Sequence, residues 1–235
     1  MTENTANLVL GYWPYQGRAQ PIRYLLRYVK ADYSEKLYFE KDDWKKDKKE
    51  NSKFAEMDLP YLIDQDQVIS GFENILNHLN VKFGIDAKSE KEINQEKTTL
   101  TACNEILKNI EDLVYDIINF DEKAITFSKE ICSDLSKFDA QLKSQNGMTG
   151  SRLNGIDFYV FYLVNLISSL IQGSLQKFKN IDLFRTRITK NWGIQEYQRL
   201  VIRQKFPFFD QTAVWGTFDK MGPVLATPIA PYATE

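Results

Sequence analysis

The spacing of apolar positions changes along the chain, and with it the kind of element each stretch predicts. Near the amino terminus Leu8-Val9-Leu10 is a short apolar run ending in Gly11, Tyr12 and Trp13. After Pro14 and Gly17, apolar residues return at Ile22, Leu25, Leu26 and Val29, the i, i+3, i+4, i+7 spacing of one helix face. The pattern predicts a strand, a turn and a helix, with Tyr12 at the carboxyl end of the strand, where open α/β sheets place ligands. Ser34 to Phe39 alternates as a second strand. Lys41 to Lys48 is polar around the single Trp44, and with the lysines that follow, up to Lys53, it reads as a solvated loop. Leu59 to Asp64 and Gln67 to Ser70 read as two strands joined by a hairpin-length turn. Ser70-Gly71-Phe72-Glu73 then opens a helix carrying Ile75, Leu76, Leu79 and Phe83 on one face, with Gly84 at its end; Ser-x-x-Glu is the capping-box pattern.

Beyond Gly84 the strand signal does not return. Leu100, Cys103, Leu107, Ile110, Val114 and Ile117 recur at helical spacing, as do Ile131, Leu135, Phe138 and Leu142, predicting two antiparallel helices over 90–145. Asn154 and Asp157 form a variant capping box before Phe158 to Ile171, a helix apolar almost all round and therefore buried on all sides. Two more helices are predicted, one around Leu183, Phe184 and Ile188 and one over Ile194 to Ile202.

Composition narrows the function classes. The 235 residues are 43% hydrophobic and 26% charged, enough for a proper core and against disorder. A net charge of −2 without a clustered basic stretch argues against nucleic acid as a partner. Two cysteines, Cys103 and Cys132, cannot make a disulfide framework or a four-ligand zinc site, and they suit a reducing compartment. The single histidine, His78, lies inside a helical pattern and reads as structural. Met1 to Asn7 lacks a signal or transit pattern, and the longest apolar run is too short to span a bilayer. A cytoplasmic location without membrane insertion is expected.

Gly11-Tyr12-Trp13, Gln20-Pro21-Ile22-Arg23, Leu59-Pro60 and Ala213-Val214-Trp215-Gly216 together resemble the cytosolic glutathione S-transferases, and most of all the mu class. The resemblance implies a fold of the α+β class followed by an all-α part: a thioredoxin-like amino-terminal domain and an all-helical carboxy-terminal bundle. Its bounds would be 1–84 for the glutathione-binding domain, 85–89 for the linker, 90–217 for the helices and 218–235 for a Pro/Ala-rich extension. It also implies that glutathione is the co-substrate, with no metal. Tyr12 would be the catalytic hydroxyl, donating a hydrogen bond to the glutathione sulfur. Trp13, Trp44, Lys48, Leu59, Pro60, Gly71 and Phe72 would form the glutathione site. Within it, Trp44 and Lys48 would reach the glycine carboxylate, the cis-proline Pro60 would let neighbouring backbone pair with the cysteinyl part, and Gly71 and Phe72 would stand at the γ-glutamyl end.

At that end the chain departs from the family, which has Gln or Glu followed by Ser where this chain has Gly71 and Phe72. Losing one hydroxyl contact to a carboxylate removes roughly 1.5 to 3 kcal/mol, and each ~1.4 kcal/mol is about tenfold in affinity. Backbone N–H groups at a helix start still favour an anion. Asp58 replaces an Asn before Leu59-Pro60, and Glu56 replaces the phenylalanine that keys the mu-class dimer. Two functions follow: conjugation of the glutathione thiol to small apolar electrophiles or, alternatively, a catalytically weak structural or interaction subunit. The expected partners are glutathione and an apolar electrophile, together with a second copy of the chain or an assembly contacted through Asp219 to Glu235.

Overall fold

The computed structural model describes residues 8–222. Four strands form one mixed sheet in the order β2-β1-β3-β4, with β1 Leu8–Tyr12, β2 Tyr33–Leu37, β3 Tyr61–Asp64 and β4 Gln67–Ser70. β1 runs parallel to β2, with Tyr12 opposite Leu37, and antiparallel to β3, with Gly11 opposite Tyr61. Helix α1, Gln20–Tyr28, makes the crossover from β1 to β2. Its buried face includes Ile22, Leu25 and Leu26, as the spacing predicts.

The predicted solvated loop after β2 is instead helix α2, Lys41–Glu50. Its only buried residue is Trp44, so no apolar period announces it. It is held by charge placement: Asp42 and Asp43 lie in the first turn and Lys48 and Lys49 in the last, each complementing the helix dipole. Trp44 stacks on Tyr61 and meets Tyr38 and Phe54, forming a small aromatic core on this side of the sheet.

Helix α3, Phe72–Lys82, follows β4. The capping box expected at its start does not form, because the N-cap is Gly71, not Ser70. The Ser70 hydroxyl turns back to Asp58, accepting from its N–H at 3.0 Å and donating to its C=O at 2.9 Å. Glu73 accepts from Asn104 Nδ2 at 2.8 Å instead of reaching the cap. His78 and Lys82 both hold Asp64 at the end of β3, which fits the structural role read for His78.

Five helices follow: α4 Glu90–Val114, α5 Phe120–Leu142, α6 Gly155–Leu170, α7 Lys179–Thr189 and α8 Trp192–Arg203. α6 is the hub, packing against α1, α3, α4 and α7. Residues 158–164 are all fully buried, as a helix apolar on every side requires. The Asp157 half of the predicted capping box is present: its carboxylate accepts from Asn154 N–H at 2.9 Å and from Met148 N–H at 2.6 Å. Both cysteines are free thiols. No helix among the described residues is long and apolar enough to cross a membrane. Of the predicted extension, 218–222 is described and the remainder lies outside the described residues.

Candidate active site

Tyr12 ends β1, and the chain leaves the sheet there through a turn that is rigid for identifiable reasons. Gly11 must lack a side chain, since a carbon at that position would lie 2.2 Å from the Tyr61 ring. Gly17 adopts φ +42°, and its first side-chain carbon would fall 2.6 Å from Tyr12 Oη. Glycine is therefore required at 17 on two counts, left-handed backbone and room for the hydroxyl. The next residue, Arg18, donates its backbone N–H to Tyr12 Oη at 3.2 Å. Arg23, fully buried in α1, clamps the turn by donating to the carbonyls of Tyr15 and Gln16 at 3.0 and 3.1 Å and to Glu35 Oε2 at 2.8 Å.

Burial pushes the Tyr12 hydroxyl above its ordinary pKa, a rise that the Arg18 N–H and the nearby Arg23 charge only partly offset. Tyr12 is consequently protonated at neutral pH, a hydrogen-bond donor and not a base. The site's wall comes from distant parts of the chain. Arg18 pairs with Glu111 of α4 at 2.8 Å, and Tyr115, just past the end of α4, donates to Asp210 Oδ2 at 3.3 Å. Tyr15, Arg18, Tyr115 and Asp210 were not singled out from the sequence. Tyr15 lies within the turn that drew attention to Tyr12, but the other contacts span 93 to 95 positions, and no local pattern pairs such residues.

The remaining sequence-predicted residues belong to segments that adjoin the sheet at the end where Tyr12 lies: after β1, after β2, before β3 and after β4. Leu59-Pro60 is a cis peptide immediately before β3. Pro60 C=O accepts from Gly71 N–H at 3.1 Å, tying the proline turn to the start of α3. Trp13 is half-buried and packs edge-on to Tyr38 at 6.3 Å. Lys48, one turn after Trp44 on α2, carries its ammonium 5.7 Å from the Trp44 ring and 3.9 Å from Asp58 Oδ1. Gly71 has φ +90° and open space around it except for Asn74 Nδ2. Phe72 points inward, its ring edge-on to Tyr159 of α6 at 4.7 Å. It fills the core between α3 and α6, so the volume it occupies is not ligand space.

No family model matches the chain. Among known proteins, it is 26% identical to glutathione S-transferase Mu 1 of Bos taurus over 215 residues, covering 89% of this chain and 98% of the relative. It is 27% identical to glutathione S-transferase Mu 2 of Homo sapiens with the same coverage. Against a glutathione S-transferase of Tyrophagus putrescentiae the identity is 30% over 189 residues, 77% of this chain and 84% of the relative. Two solved structures share the fold at 22% identity and 88% coverage of this chain: the Pi-class glutathione S-transferase of Onchocerca volvulus, with a TM-score of 0.77, and the glutathione S-transferase Blo t 8, with 0.79. The four-stranded mixed sheet with its helical bundle and the 30% identity across most of a relative lead to one family: the chain belongs to the glutathione S-transferases, with mu-class proteins among its relatives.

Proposed function

We propose that the protein conjugates the thiol of glutathione to small apolar electrophiles, with Tyr12 stabilising the thiolate. The observation that carries the reading is the Tyr12 hydroxyl itself, buried at the strand end, protonated at neutral pH and already accepting the Arg18 N–H. A neutral O–H donor beside a sulfur favours the anion, raising the fraction of nucleophile at neutral pH. The thiol proton leaves to solvent, the thiolate attacks the electrophilic carbon, a C–S bond forms and the leaving group departs with its electron pair. Leu59-Pro60 would present backbone to the cysteinyl part, and Trp13, Trp44 and Lys48 would flank the glycine end. The γ-glutamyl carboxylate would depend on backbone N–H groups at Gly71 and Phe72. The relatives compared are all named as glutathione S-transferases, which favours this reading over a purely structural subunit.

Tyr12→Phe is expected to lower conjugation of a standard aryl electrophile at least tenfold while leaving the thermal unfolding midpoint within a few degrees of wild type. A wild-type protein that neither conjugates the electrophile nor is retained on immobilised glutathione would defeat the reading.

A further inference from the structure

Two arginines serve the turn after Tyr12, and they are engaged to different degrees. Arg23 is fully buried, with Nε on Glu35 and Nη1 on the carbonyls of Tyr15 and Gln16. Arg18 keeps 42% of its side chain exposed and makes one side-chain hydrogen bond, from Nη2 to Glu111 Oε2 at 2.8 Å. Its Nε and Nη1 have no hydrogen-bond partner among the described residues, and neither is sealed from solvent. The Arg18 backbone N–H donates to Tyr12 Oη at 3.2 Å, so the guanidinium stands within one side chain's length of that hydroxyl.

Glu111 is not sealed in either: 30% of its side chain is exposed, and Oε1 has no hydrogen-bond partner among the described residues. One turn further along, Tyr115 N–H donates to the Glu111 carbonyl at 3.1 Å, and the Tyr115 ring meets Phe209 edge-on at 6.0 Å. The carboxylate nearest these rings, Asp210, is already committed to Tyr115 and Thr212. The pair thus places an accessible cation beside aromatic surface and close to Tyr12. A half-exposed ion pair held by one N–H···O contact contributes little to folding. A carboxylate lying side by side with a guanidinium gains two parallel hydrogen bonds, and either edge of the fork includes Nη2. A ligand acid would therefore bind Arg18 best by displacing Glu111.

We propose that Arg18 sets the electrophile class: its guanidinium leaves Glu111 to take a carboxylate carried by an otherwise apolar electrophile. The inference rests on the conjugation reading of the site and narrows its electrophile.

The test compares a chloronitrobenzoate, with chloride as the leaving group, with its methyl ester, which keeps the ring and removes the charge. In Arg18→Met the benzoate-to-ester ratio of kcat/KM is expected to fall about tenfold from the wild-type ratio, whereas Glu111→Gln, which removes the competing carboxylate, is expected to raise it about threefold. A ratio unmoved in Arg18→Met or lowered in Glu111→Gln would overturn the proposal. The glutathione dissociation constant of Arg18→Met is expected to stay within about twofold of wild type; a tenfold weakening would place the guanidinium on the peptide and overturn it as well. A second measurement needs no glutathione: calorimetry of nitrobenzoate and of its methyl ester on the full chain. Nitrobenzoate is expected to bind wild type about tenfold more tightly than Arg18→Met, with the ester unchanged. Nitrobenzoate that binds the two proteins alike, or neither, would overturn the proposal. A wild type inactive in conjugation would count against the glutathione reading alone, leaving the calorimetry to decide Arg18.

Discussion

Gly17 ties backbone conformation to chemistry at a single position. Its left-handed φ and the 2.6 Å that a side-chain carbon would leave to Tyr12 Oη both oppose substitution. Gly17→Ala is expected to lower stability by about 1–2 kcal/mol, measured by denaturant unfolding, and to reduce conjugation more than stability alone explains, because the clash falls on the hydroxyl. Phe72 carries a different lesson. It stands at the γ-glutamyl place in the family pattern, yet its ring lies in the core against Tyr159. Phe72→Ser should therefore cost roughly 3 kcal/mol or more through the cavity it leaves. Tighter glutathione binding by that variant with unchanged stability would contradict this packing.

At the level of elements, polar decoration can build a helix that apolar spacing does not announce. α2 has one buried residue and is otherwise arranged by its terminal charges, which is why a search for periodicity reads it as loop. α6 is the opposite case, legible from its apolar sequence alone and anchored at its start by Asp157. Burial raises the Asp157 pKa to about 7, against the Asn154 and Met148 N–H bonds that pull it down. The ordinary aspartate value, near that of the unfolded chain, is ~3.9. A folded-state pKa above the unfolded one contributes stability that is complete below the unfolded value and is lost as pH rises through the folded one. Stability is thus expected to decline between about pH 4 and pH 7 through this group. Asp157→Asn should remove that component of the slope while lowering stability by about 1–3 kcal/mol, since an amide offers only one of the two acceptor oxygens. Urea midpoints of both proteins across pH 4 to 8 would show either change.

Across the whole molecule, the site depends on how the helices seat against α1. Gly193 of α8 lies so close that a carbon there would be 2.3 Å from the Arg27 carbonyl oxygen. Because that neighbour is backbone, Gly193→Ala should displace α8 from α1 and lower the unfolding midpoint by several degrees, with loss of conjugation following from movement of the turn held by Arg23. A midpoint equal to wild type would show that the interface yields more easily than this geometry allows.

Much of this architecture is already written in residue order. Strand and helix periods, the Tyr12 turn, the Leu59-Pro60 pair and the all-apolar α6 are local patterns, fixed by which side chains can share one face, and the alternation of strand and helix limits how they can stack. Other features were decided only when the chain closed. Ser70 left the helix cap because the Asp58 backbone offered both a donor and an acceptor within reach. Phe72 turned inward because α6 placed an aromatic surface beside it. The surroundings of Tyr12 draw on Glu111, which pairs with Arg18, and the nearby wall draws on Tyr115 and Asp210, which pair with each other. Hydrogen bonds and charge interactions depend on distance in space, and residues nearly one hundred positions apart acquire that distance only from the packed fold.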